Sequence, residues 1–105
     1  MLQINYKDIQ LRDLATKESV ADDTLGSANA RELRALISEA EAFSDALQFV
    51  EFRCSELPIK DSIVIAFGLN CSAYFSRVFP VEGEREDGSV DWTKVKTLML
   101  ERVVP

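Results

Sequence analysis

The sequence predicts an all-α fold, a compact bundle of four to five helices, on three observations. Leu33, Leu36, Ala40, Phe43, Leu47, Val50, Cys54 and Leu57 are spaced alternately by three and four residues, the rhythm of one apolar helix face. No Gly or Pro interrupts the chain between residues 28 and 57. The run SIVIAFGLNCSAYFS, residues 62–76, carries no charge, and Pro58 stands ahead of it, where a proline suits the first position of a helix.

The elements follow in order. Leu2, Ile4 and Tyr6 alternate like a strand, whereas Ile9, Leu11, Leu14 and Ala15 fit a helix. A short helix over 6–17 is preferred, with Asn5 as its cap. Residues 19–28 cluster Asp, Thr, Gly and Ser without an apolar period and read as a connection. The seam over 29–57 fits two helices with a corner near Phe43, Ser44 capping the second and Asp45 in its first turn. A single helix of that length would exceed the usual three to four turns. Pro58 forces a corner at residues 56–57 and opens a helix over 58–78, with Asp61 in its first turn and Pro80 as its stop.

That helix is apolar nearly all round, so it sits at the centre of the bundle. Its fifteen uncharged residues, Asn70 and three serines among them, fall short of the ~20 apolar residues of a bilayer span. Gly68, Ser72 and Ser76 lie four apart, a small-residue stripe along which another helix packs closely. The β-branched SIVIAF segment also suits a strand, but the length of the run and the leading Pro decide for the helix. Residues 80–90 form a charged turn, whose Asp-Gly-Ser run would also serve a tight turn between short strands. Trp92, Val95, Leu98, Met99 and Arg102 predict a last helix over 91–102, capped by Ser89 or Asp91. One domain over 1–105 results, with 1–28 as N-terminal segment and connection and 29–102 as helical core.

Composition narrows the function. With 47% hydrophobic and 29% charged residues the chain is too apolar for disorder. Net charge is −6, and residues 1–57 hold 11 acids against 6 bases. That sign disfavours nucleic acid and anionic membrane surfaces and favours encounter with a basic protein. The N-terminal segment has no basic stretch followed by an apolar core, so no signal peptide is expected, and with two cysteines the expected compartment is the cytoplasm.

The chain contains no histidine, which excludes His-based acid–base and nucleophilic pairs. Cys54 and Cys71 match no zinc spacing and read as buried thiols. Asp22 with Asp23, and Glu82, Glu84, Glu86 with Asp87, form no calcium loop, and the scattered glycines form no phosphate loop. No catalytic residue, metal or cofactor is expected. The expected function is a non-enzymatic protein–protein interaction module of adaptor, inhibitor, immunity or chaperone type. Glu32, Glu39, Asp45 and Glu51 would present an acidic helical face to a basic partner. Trp92 reads first as a buried core anchor and second as a partner-binding residue, since Trp is enriched at hot spots. The alternative is a homo-oligomeric assembly protein, a homodimer packed through the heptad seam. Gly68, Asn70, Ser72 and Ser76 would then lie at self-association positions, because a buried Asn can fix oligomeric state. A small-ligand carrier ranks third.

Overall fold

Alternation decides the conformation of the uncharged run. In the computed structural model, which describes residues 1–53, 62–78 and 83–105, Ile63, Ile65 and Phe67 are buried while Ser62, Val64 and Ala66 are exposed. A period of two belongs to a strand. Strand β2 (Ser62–Phe67) and strand β3 (Cys71–Arg77) pair antiparallel as a hairpin. Gly68, Leu69 and Asn70 form the turn, with positive φ at Gly68 (54°) and Asn70 (61°). Those are residue types that tolerate the left-handed region. The expected central helix over 58–78 is therefore overturned across residues 62–77.

The other elements are strand β1 (Gln3–Tyr6), helices α1 (Ile9–Thr16), α2 (Glu18–Leu25), α3 (Ser27–Ala42) and α4 (Ala46–Phe52), a 3₁₀ turn at Trp92–Lys94, and strand β4 (Thr97–Val104). Among the described residues the fold is thus α+β, four helices and one four-stranded mixed sheet of order β1-β4-β3-β2, and not an all-α bundle. Nor is 29–102 a helical core. β4 pairs antiparallel with β3 and parallel with β1, Gln3 lying opposite Thr97. The expected last helix over 91–102 is replaced by the 3₁₀ turn and β4. Trp92, Val95 and Leu98 still reach the core, but from a turn and a strand.

At the N-terminus both patterns in the sequence are realised in succession. Leu2 and Ile4 alternate into the core and β1 ends at Tyr6. α1 then starts, capped by Asp8 rather than Asn5, whose carboxylate accepts the Leu11 N–H at 2.8 Å. The expected connection at 19–28 contains α2. A single residue, Gly26 at φ 82°, turns the chain into α3, a conformation that favours glycine. The two-helix reading of the seam is observed, with the corner at Phe43. Asp45, not Ser44, caps α4 by accepting the Gln48 N–H at 3.0 Å.

The core lies between the helices and one face of the sheet. Leu33, Leu36, Ala40 and Val50 of the seam are buried there, with Phe43 and Leu47 packed at its margin. Phe49 meets Phe75 edge-to-face, ring centroids 5.8 Å apart. Asp91 caps the 3₁₀ turn through the Thr93 N–H, and Asp87 accepts both the N–H and the hydroxyl of Ser89 in the preceding loop. Cys54 and Leu57 of the seam, the corner at 56–57, the helix start at Pro58 with Asp61, Glu82 and the stop at Pro80 lie outside the described residues.

Candidate interaction face

The strands that bury one set of side chains turn the alternate set outward. The register arranges that outer set in three rows. Nearest the hairpin turn, Ala66, Ser72 and Val104 stand side by side. Val64, Tyr74 and Arg102 form the middle row. Ser62, Ser76, Met99 and Asn5 complete the third, which crosses all four strands. Val64 is 46% and Val104 39% exposed, and Tyr74, Met99 and the serines of β3 are half-buried. Among the described residues the helices pack on the opposite face.

A β-bulge shapes this face. Leu100 lies opposite Phe75 and Arg102 opposite Tyr74, so Glu101 is an extra residue. Glu101 and Arg102 consequently both engage outer-face residues. The Glu101 carboxylate accepts the Ser76 hydroxyl at 2.5 Å and lies 3.6 Å from Lys7 Nζ. The Arg102 guanidinium stacks 4.0 Å from the Tyr74 ring centroid, a cation–π contact. The carboxylate on this face is thereby tied down, and the aromatic is capped by a cation.

The hairpin turn is pinned from the helical side. Asn29 of α3 accepts the Leu69 N–H at 2.8 Å, and its amide donates to the Leu25 carbonyl at 3.2 Å. A Cβ on Gly68 would press on Asn29 Oδ1 and displace the amide that holds the turn, so glycine suits this approach. The result is a fixed tip carrying Leu69, 78% exposed.

The residues expected to bind a partner do not form one patch. Glu32 and Glu51 are exposed, on α3 and α4. Glu39 lies 2.5 Å from Arg53 Nη2, an ion pair off the line of a good hydrogen bond. Asp45 is buried as the α4 cap, and Trp92 is a core residue at 6% exposure. Of the self-association set, Ser72 and Ser76 sit on the open face, while Gly68 and Asn70 build the turn. Val64, Met99, Arg102 and Val104 are the residues of this face that sequence reasoning missed. The alternation within SIVIAF and the Gly68–Asn70 turn signal were the clues to it.

A shallow groove of about 540 Å³ runs between α1, α2 and the end of β4, floored by Leu11, Leu14, Val20 and Val103. Its three described carboxylates are committed: Asp8 caps α1, Asp13 lies 3.5 Å from Arg12 and 3.4 Å from Lys17, and Glu101 accepts the Ser76 hydroxyl. Among the described residues no cluster of three or more Cys, Asp or Glu could hold a metal ion, and no helix is long and apolar enough to cross a membrane. No protein-family model matches the chain, and no curated protein or solved structure is similar to it at a significant level.

Proposed function

We propose that this protein is a non-enzymatic protein–protein interaction module that docks another protein on the open face of its sheet. The observation that carries this is the make-up of the three-row face. Tyr, Met and Arg are enriched in protein interfaces, whereas Asp, Glu and Lys are depleted. The open face supplies Tyr74, Met99 and Arg102 beside Val64 and Val104, and among the described residues its one carboxylate, Glu101, is already bonded to Ser76. The proposal covers modules of adaptor, inhibitor, immunity or chaperone type. The same proposal includes no nucleic-acid and no membrane role, given the net charge of −6, and a cytoplasmic residence, in keeping with the free, buried Cys71.

A second reading keeps the partner basic and docks it on the helical layer. It is favoured by the exposure of Glu32 and Glu51. One experiment separates the two. The protein is used as bait for its partner in lysate of its source cells, in parallel with a Tyr74→Ala/Arg102→Glu variant and a Glu32→Lys/Glu51→Lys variant. A docked Tyr at a hot spot predicts at least about tenfold weaker capture by the first variant, with the second unchanged. Loss confined to the second variant selects the helical layer, and equal capture by all three overturns both.

A further inference from the structure

The two borders of the sheet differ. β1 is four residues long and is followed at once by Lys7 and Asp8. β2 is six residues long, contains no charge, proline or bulge, and among the described residues pairs with β3 alone. Charge, proline, bulges and short length are the devices that keep an edge strand from pairing with another chain. β2 has none of them.

We infer that β2 pairs antiparallel with β2 of a second copy, about a two-fold axis at Val64, joining two sheets into one of eight strands. This builds on the open-face reading and names the occupant at the β2 border of that face. In an antiparallel pair, residues directly opposite share a face, so a symmetric pairing must match odd positions with odd and even with even. Centred on Val64, it sets Val64 against Val64, Ile63 against Ile65 and Ser62 against Ala66. Over residues 62–66 apolar meets apolar and small meets small, with Phe67 left beyond the paired register, and the buried Ile63 and Ile65 extend one core into the next. It also places the two half-exposed valines side by side.

Charge argues for a second copy over a basic protein at this edge. Two chains of net charge −6 repel one another in general, but residues 62–76 are uncharged, so here they meet without like charges opposed. A basic partner finds no carboxylate on β2 to recognise. Area then sets the strength. One strand pair of this length stays below the ~1,200 Å² of a stable interface, so the dimer is weak and reversible, with Kd on the order of 10–100 μM.

Sedimentation of the full chain from about 1 μM to 1 mM, a range that brackets this Kd, tests the inference. The wild type should shift from monomer to dimer across it. Val64→Lys and Val64→Glu each oppose like charges on the axis and should associate about tenfold more weakly. A 1:1 mixture of the two should recover the dimer by pairing Lys with Glu, which also shows that both variants are folded. A wild type that is monomeric throughout, or a Val64→Lys chain that dimerises as the wild type does, overturns it. A monomer that still loses its partner on Tyr74→Ala/Arg102→Glu would overturn the dimer and leave the open-face reading standing.

Discussion

Tyr74 and Phe75 are adjacent in β3 and belong to opposite sides of the molecule. Phe75 is fully buried against Phe49, among Ile63, Ile65, Leu98 and Leu100. Tyr74 is half-exposed between Val64 and Arg102, with a guanidinium stacked on its ring. One backbone holds both, so the separation of stability from recognition rests on strand parity. Slipping the register by one residue would exchange the two sets.

The strongest way to break this contrast is to truncate both neighbours. Phe75→Ala should cost about 3–5 kcal/mol, a large share of the stability of a domain this size, read as a lowered urea midpoint. Tyr74→Ala should cost about 1 kcal/mol or less, the worth of an exposed cation–π contact. Equal costs would mean that the outer face is as structural as the inner. An effect smaller than that of Phe75→Ala is expected at the hairpin tip, where the two layers touch. Gly68→Ala forces a side chain into the left-handed region and onto Asn29, and should cost at least about 1–2 kcal/mol in thermal melts. Asn29→Ala removes the clash but also the two hydrogen bonds that pin the turn, so the double variant should be less destabilised than the sum of the two single variants.

The smallest effect lies in the loop before β4, away from both faces. The hydroxyl of Thr93 holds the Asp91 carboxyl below the usual carboxylate range, and Ser89 does the same for Asp87. For a folded pKa that is depressed, the stabilisation is present above the ordinary Asp value of about 3.9 and is lost as pH falls through the lower folded value. Amide protection at Ser89 and Thr93 should therefore fade only below that ordinary value. Asp91→Asn should remove the acid response at Thr93 and leave the strands unmoved.

How much of this was legible follows from the arithmetic of periods. Steps of three and four, as in Leu33–Leu36–Ala40–Phe43, change parity at every odd step and cannot lie on one face of a strand, so α3 and α4 and the corner between them could be read. Gly68, Ser72 and Ser76 are four apart, and four fits one face of a helix as well as one face of a strand. Without charges to mark an outer side, the run 62–76 looked apolar all round. Its turn rested on Gly68 and Asn70 alone. In β4 the bulge breaks the alternation: Leu98 and Leu100 point inward, and then Glu101 and Arg102 both engage the outer face. The open face was hidden for a further reason. It is assembled from β2, β3 and β4, whose neighbourhood is a matter of long-range pairing that no local pattern encodes.

The parallel pairing of β1 with β4 also has a temporal consequence. Gln3 lies opposite Thr97 and its N–H donates to the Lys96 carbonyl at 2.8 Å, a pairing across nearly the whole chain, whereas α1 to α4 are local in sequence. A contact of such separation carries a high loop-closure cost and slows folding. During synthesis the helices emerge with their apolar stripe uncovered, and β1 has no neighbour in the sheet until β4 has left the ribosome. Of the four described strands, the one translated first must wait longest to be fixed.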